Sequence, residues 1–155
     1  MAVTQIFMGT DMIENSQLQQ LIDRMDLADL LTRYVQVIDF GETVEEILSV
    51  FTDDAAIEGT FRGKDQGRAA LEAYARSILE MRKTVAYRHN ITNVIVTIDG
   101  DSATITSFFI LTYRYGYYGG EVQMTRQYMG DYWCRAVRIN GRWLLAHRIV
   151  KVDPS

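Results

Sequence analysis

The chain contains two histidines, the side chains best suited to move protons near neutral pH. His89 lies near the start of a run rich in Ile, Val and Thr, and His147 lies in the last apolar run of the chain. Asp39 follows an apolar pair at the end of a predicted helix. A histidine and a carboxylate in contact can perform general acid–base catalysis, so these three residues are the first candidates for chemistry.

Asp39 occupies an unfavourable position for an isolated carboxylate, because the C-terminal end of a helix prefers cations. A histidine partner would account for this placement, since a carboxylate can fix the imidazole tautomer and stabilise the imidazolium ion. The alternative is a carboxylate that is simply solvated at the helix end. Spacing alone favours that alternative.

Tyr34 and Arg148 are candidates for a supporting role. Tyr34 precedes Asp39 by five residues, about 140° around the helix axis, so both can edge a pocket without touching. A tyrosine hydroxyl there could stabilise an oxyanion, although core packing is the more common role. Strict alternation in the last strand places Arg148 and His147 on opposite faces. We expect Arg148 to point inward; the alternative is a salt bridge at the sheet edge.

Apolar residues at helical spacing predict three helices in the first half of the chain. Asp26 is a candidate N-cap for the main part of the first helix, one or two turns precede it, and Gly41 ends it. The second helix begins with the capping-box pair Thr43 and Glu46 and continues to about residue 51. The third is expected to be capped by Asp65.

The second half predicts strands, with a short strand at residues 55–58 preceding them. Hairpin turns are expected at 99–100 and at Asn140-Gly141, and Gly130 marks a bulge or kink. The four long strands are expected at residues 87–98, 102–115, 122–139 and 142–152.

Helices that precede an antiparallel sheet predict the α+β class. The long, aromatic strands favour a bent sheet that wraps onto the helices and leaves a cavity for a ligand. We expect a single domain over residues 18–155, preceded by a tail or arm over residues 1–17 that docks on a neighbour.

Composition excludes several classes of function. The net charge is −4 without a basic block, which argues against a nucleic-acid or membrane-surface partner. A single cysteine, Cys134, precludes an internal disulfide, and two histidines without clustered carboxylates argue against a metal site. With neither a signal peptide nor a membrane span in the sequence, the cytoplasm is the expected compartment.

Five segments together resemble the NTF2-like superfamily, in particular its SnoaL-like group. They are YVQVID at 34–39, LSVFTDDA at 48–55, RHNITN at 88–93, GDSATI at 100–105 and GRWLLAHR at 141–148. The resemblance covers residues 20–152. It implies a cone of three helices packed on a strongly curved, mainly antiparallel sheet around a mostly apolar pocket.

The family includes dehydratases that act on scytalone and on bile acids, polyketide cyclases, and the β subunits of ring-hydroxylating dioxygenases. In its dehydratases a histidine and an aspartate form a dyad, and a tyrosine polarises the substrate oxygen. The resemblance assigns these roles to His89, Asp39 and Tyr34, and Arg148 matches an arginine of the bile-acid enzyme. The additional acidic residue of that enzyme has no counterpart in residues 106–115, which contain no carboxylate.

The resemblance thus implies a lyase or isomerase, without a cofactor, that acts on a hydrophobic and cyclic oxygenated small molecule. Homodimers and homotrimers are common in the family. Two alternatives remain open. In the first, the chain is a non-catalytic dioxygenase β subunit, for which the Arg-His-x-x-x-Asn stretch at 88–93 is suitable. In the second, it binds a small molecule without turnover.

Overall fold

The computed structural model describes residues 2–60, 63–116 and 124–154, with side chains from residue 15 onward. Three helices precede or interrupt six strands. The helices are α1 (Ala2–Phe40), α2 (Val44–Leu48) and α3 (Arg68–Met81); the strands are β1 (Phe51–Gly59), β2 (Gly63–Gln66), β3 (Val85–Asp99), β4 (Ser102–Tyr115), β5 (Met124–Ile139) and β6 (Arg142–Val152).

All six strands form one sheet in the order β2-β1-β6-β5-β4-β3. The four long strands make the predicted antiparallel meander, while β1 pairs in parallel with β6 and antiparallel with β2. Helices α1 and α3 pack against the sheet. The predicted α+β cone is therefore confirmed; β1 contains the short strand expected at residues 55–58, and β2 is a strand that the sequence did not predict.

The apolar core lies between the inner face of the sheet and the helices. Leu27, Leu30 and Leu31 repeat at helical spacing on α1 and are almost completely buried. They meet Trp143 and Leu145 of β6, which are buried as well. Burial of these side chains fixes the orientation of α1 and hence of the residues at its C-terminal end.

Helix α1 is longer than predicted, and Asp26 does not cap it. Asp26 lies inside the helix and is exposed, while the backbone from residue 2 is already helical. The helix continues through this point because Asp23, one turn earlier, is held on the sheet by Arg138 and Trp143. The division of the chain into an arm and a domain stays a prediction.

The starts of the two other helices differ in how well they were predicted. The capping box of α2 is confirmed, since the Glu46 N–H donates to Thr43 Oγ1 at 3.1 Å and the Thr43 N–H donates to Glu46 Oε2 at 3.3 Å. Asp65 is not a cap, because it lies in β2 opposite Ile57. Gly67, at a positive φ of 85°, begins α3. Helix α2 also ends earlier than expected, at residue 48, because β1 begins at 51.

A β-bulge in β6 changes which side chains face inward. Leu145 is opposite Ala136 and His147 is opposite Arg135, so Ala146 is the extra residue. The prediction of strict alternation was therefore wrong. Leu145 and Arg148, assigned to opposite faces by alternation, are both buried on the inner side, and His147 is partly exposed.

The expected bulge at Gly130 is absent, because its pairing with Phe109 and Val152 is in register. A Cβ atom there would lie 2.0 Å from the carbonyl oxygen of Lys151. Gly130 therefore permits close approach of β5 and β6. The Asn140-Gly141 turn is confirmed as type I′ by positive φ angles of 51° and 77°.

Candidate functional site

A cavity of about 540 Å³ lies between α1, α3 and the inner face of the sheet. Its wall is rich in aromatic side chains, and the candidate residues Tyr34, His89 and Arg148 are part of it. The other aromatic residues in the wall are Tyr74, Tyr87, Phe109, Tyr113, Tyr128 and Tyr132. A volume of several hundred Å³ with few polar groups is typical of small-molecule sites.

Asp39 and His89 meet at one side of this cavity, although 50 residues separate them in sequence. Asp39 Oδ1 is 2.5 Å from His89 Nδ1, and Oδ2 accepts the backbone N–H of His89 at 2.8 Å. Both side chains are at least nine-tenths buried. Asp39 therefore has a histidine partner, which accounts for a carboxylate at the C-terminal end of α1.

The topology explains why a carboxylate is placed at the end of α1. Strand β3 is at the edge of the sheet, so the N–H of His89 on the open side has no neighbouring strand to bond. Asp39 accepts this backbone N–H with Oδ2 and contacts the imidazole ring of His89 with Oδ1. The same helix end thereby completes the sheet edge and orients the imidazole.

These bonds define the His89 tautomer. A carboxylate only accepts hydrogen bonds, so Nδ1 must donate to Asp39. In the neutral ring, Nε2 then has no proton and can accept one. The ring contacts Tyr87 edge-on, with 5.8 Å between centroids, and lies 6.5 Å from Tyr132.

Tyr34 and Arg148 form a second buried pair in the cavity wall. Arg148 Nη1 donates to the Tyr34 hydroxyl at 2.5 Å. Burial raises the pKa of Tyr34 well above its ordinary value, and the nearby positive charge of Arg148 offsets this only in part. A hydrogen bond with Tyr74 raises the pKa further, so the Tyr34 hydroxyl keeps its proton at neutral pH, and a ligand oxygen that accepts this proton replaces Tyr74 as the partner.

A family model described as the SnoaL-like domain matches residues 19–149. The chain belongs to the SnoaL-like domain family. This match agrees with the segments that carried the resemblance in the sequence. No curated protein is significantly similar to the chain in sequence.

Solved structures share the SnoaL-like fold of this chain. A protein of unknown function from Mycobacterium tuberculosis is 27% identical, with a TM-score of 0.74 over 88% of this chain and 75% of its own. A proposed scytalone dehydratase from Novosphingobium aromaticivorans is 17% identical, with a TM-score of 0.74 over 87% of each chain. A hexachlorocyclohexane dehydrochlorinase is 16% identical, with a TM-score of 0.74 over 89% of this chain and 90% of its own.

His147, the other histidine of this SnoaL-like chain, is outside the cavity. It lies on the outer side of β6, where Nε2 is 3.5 Å from Glu58 Oε2 and the ring contacts Trp133 edge-on. The bulge at Ala146 is the reason that Arg148 rather than His147 faces inward. Trp133 is on the outer face as well.

Sequence reasoning missed several tyrosines of the site. Tyrosines alternate at 113, 115 and 117, a pattern that from sequence predicts a face for sheet packing or for an oligomer interface. Tyr113 instead lines the cavity and stacks on Tyr115, and Tyr117 lies outside the described residues. Tyr87 is two residues before His89 on the same strand, so the period of two could have identified it. Tyr132 had no such signal.

Within residues 15–60, 63–116 and 124–154, whose side chains the structure describes, no three His, Cys, Asp or Glu side chains are grouped in a way that could hold a metal ion. No helix in these ranges is long and apolar enough to cross a membrane.

Proposed function

We propose that the chain is a lyase or isomerase that works without a cofactor on a hydrophobic, cyclic, oxygenated small molecule. The observation that carries this proposal is the contact of His89 with Asp39 in the wall of an aromatic cavity. Buried histidine–carboxylate pairs of this kind are suited to remove a proton in a place that excludes bulk water.

The first step is removal of a proton from a carbon next to a carbonyl. His89 Nε2 accepts the proton, and Asp39 stabilises the resulting imidazolium ion. The electron pair left on carbon moves to the carbonyl oxygen and gives an enolate. Tyr34 donates a hydrogen bond to that oxygen, and the charge of Arg148 strengthens this donor through the bond that joins them.

The later steps decide the reaction type. In an elimination, the electron pair returns from oxygen to form a carbon–carbon double bond while the bond to a β-hydroxyl breaks. The leaving oxygen takes the proton from His89, so water departs and the base is regenerated. Isomerisation returns the proton to another carbon, and ring closure uses the enolate carbon as a nucleophile. All three share the same first step.

The solved relatives support elimination as the first reaction to test. A dehydratase eliminates water and a dehydrochlorinase eliminates hydrogen chloride. Both of these structures have the fold of this chain. Because their identity to it is below one fifth, they support the reaction class and leave the substrate open.

A product screen tests the proposal. Wild type and His89→Asn would be incubated with a cyclic β-hydroxy ketone and with a cyclic β,γ-unsaturated ketone. We expect conversion of at least one by wild type and a loss of about 10²–10⁴-fold in the variant. Equal conversion by both would refute the role of His89. Tight binding without conversion would favour a binding protein, and co-purification with a larger iron-bearing subunit would favour a dioxygenase β subunit.

We also propose that the chain forms a homo-oligomer through the outer face of the sheet. The apolar side chains that support this are between 37% and 64% exposed: Ile95, Phe108, Ile110, Met129 and Trp133. Beside them Asp131 and Lys151 are opposite each other on β5 and β6. In a two-fold dimer built on this face, each carboxylate can meet the ammonium group of the other copy. A trimer is the alternative.

A further inference from the structure

Arg148 has a net positive charge that its surroundings do not neutralise. The residue is only 7% exposed. Among the residues that the structure describes, no carboxylate lies within ion-pair distance of it, whereas the other buried charged groups, Asp23 and Asp39, both have a cationic or imidazole partner. Its one hydrogen bond there goes to the neutral Tyr34 hydroxyl, and its Nε has no partner.

Three tyrosine rings offset part of the free-energy cost of burying the charge of Arg148. The guanidinium carbon lies 5.2, 5.7 and 5.8 Å from the ring centroids of Tyr34, Tyr132 and Tyr74, within the range of a cation–π contact. Such contacts are weaker than a charge-assisted hydrogen bond to an anion. A buried cation with only aromatic neighbours therefore remains able to bind an anionic group strongly.

The cavity is the accessible route to this charge, because Arg148 forms part of its wall. A second unpaired polar atom lies in the same wall, the hydroxyl oxygen of Tyr87, which is buried without a hydrogen-bond partner. Unpaired buried polar groups are uncommon, and two of them around one cavity indicate a ligand that supplies oxygen atoms.

We propose that Arg148 is the binding site for a permanent carboxylate on the substrate, so that the substrate class is a cyclic or aromatic carboxylic acid. This inference rests on the proposed function in so far as the ligand is called a substrate. Binding of an anion by Arg148 does not itself require turnover. Arg148 and His89 both contact the ring of Tyr132, so a ligand of one or two rings can reach both. The carboxylate would be bound by Arg148 and the neighbouring carbonyl by Tyr34, which is hydrogen-bonded to Arg148, while the carbon that loses its proton would face His89.

Binding of two matched probes tests the site. Calorimetry would compare 2-naphthoate with its neutral amide, 2-naphthamide, on wild type, Arg148→Met, Arg148→Lys and His89→Asn. We expect wild type to prefer the carboxylate by at least about tenfold, in line with a desolvated charge pair. Arg148→Met should lose that preference while it binds the amide as before, and Arg148→Lys should keep part of it.

The His89→Asn variant separates this proposal from the proposed function. It should keep the preference for the carboxylate, whereas it should lose turnover. If turnover is absent in wild type but the preference for the carboxylate depends on Arg148, the anion site is supported and the proposed function is not. Equal binding of the two probes to wild type would overturn it, and so would an unchanged preference in a folded Arg148→Met. Because the wild-type comparison needs no variant, the result does not depend on whether Arg148→Met folds.

Discussion

At the scale of single residues, Asp39 has two tasks that a solvated carboxylate would not have. It binds the ring and the backbone of His89 with different oxygens, and it lies where water has little access. An asparagine would keep one acceptor but would present an NH₂ group to one of two donors. The two contacts therefore depend on the charge and on both oxygens.

We expect the neutral His89 ring to carry its proton on Nδ1, and Asp39→Asn to remove this preference. Long-range ¹⁵N–¹H correlation spectra report the tautomer directly. The exposed carboxylate Asp53 provides the matched control, because Asp53→Asn should leave the spectrum of His89 unchanged. A wild-type ring protonated on Nε2 would contradict the assignment of that nitrogen as the base.

The residue-level site could be predicted only in part. The unusual position of Asp39 and the scarcity of histidine indicated the pair, but no spacing rule could tell His89 from His147 without the family resemblance. The inward position of Arg148 was expected, yet the alternation behind that expectation was wrong because of the bulge at Ala146. A bulge depends on how neighbouring strands pair, and a single strand sequence does not contain that information.

At the scale of the elements, α1 is attached to the sheet by a charged cluster that the sequence did not indicate. Asp23 is buried and bonds to Arg138 through both oxygens, at 2.8 and 3.0 Å, and to Trp143 Nε1 at 3.3 Å. Arg138 also bonds to Asp101 in the turn between β3 and β4. The cluster thus joins the helix to β5, β6 and the turn between β3 and β4, at the end remote from His89.

We predict that Asp23→Asn lowers the free energy of unfolding by about 1–3 kcal/mol, since the charge-assisted bonds to Arg138 are lost while Asp101 still compensates that cation. Urea unfolding measures the change. Asp26→Asn, three residues further on the exposed side of α1, should change stability by less than about 0.5 kcal/mol. A comparable loss in both variants would show that the cluster is not the cause.

The same cluster has a predicted pH dependence. Burial would raise the pKa of Asp23, but hydrogen bonds from Trp143, Gln19 and Arg138 outweigh it and lower the pKa below its ordinary value. A carboxyl whose pKa is lower in the folded chain stabilises the fold above its ordinary pKa and loses this contribution as pH falls. Wild type should therefore lose stability below about pH 4 more steeply than Asp23→Asn.

Helices and strands were predicted well where a local signal decides them. The capping box at Thr43, the turn at Asn140-Gly141 and the long runs of strand-forming residues in the second half all predicted elements that the structure has. The failures concern Asp26 and Asp65, because a capping residue is common inside helices and strands as well. Tertiary contacts decided those positions.

At the scale of the whole molecule, the cavity wall makes the fold sensitive to alkali. Burial raises the pKa of each of four wall tyrosines, Tyr34, Tyr87, Tyr113 and Tyr132. In the unfolded chain these hydroxyls ionise near their ordinary value, so the folded state alone keeps their protons above it. Their contribution is complete below about pH 10 and decreases as pH rises further.

We predict that stability falls above about pH 10 by up to about 1.4 kcal/mol per pH unit for each of these tyrosines. Urea unfolding at increasing pH gives the slope, and absorbance near 295 nm shows whether the tyrosines ionise only as the chain unfolds. Tyr132→Phe should reduce the dependence of the free energy of unfolding on pH by the contribution of one tyrosine, up to about 1.4 kcal/mol per pH unit. Ionisation of all tyrosines near pH 10 in the folded protein would contradict this.

The exposed outer face leads to a prediction about assembly. Phe108→Glu puts a charge in the centre of the apolar patch, and we expect it to turn the proposed dimer into a monomer. Sedimentation equilibrium measures the mass. Ala73→Glu, a charge on an exposed position of α3, which packs on the opposite, inner face of the sheet, is the control that should leave the dimer intact. A monomeric wild type at tens of micromolar would refute the interface.

Removal by His89 of a proton next to a carbonyl can be measured as deuterium uptake from D₂O into a cyclic ketone such as 1-tetralone. The readout needs neither the natural substrate nor knowledge of the later steps. We expect enzyme-dependent uptake that falls by about 10²–10⁴-fold in His89→Asn and remains in His147→Asn, the matched change outside the cavity. Uptake that is equal in wild type and His89→Asn, or that is lost in His147→Asn instead, would contradict this role of His89.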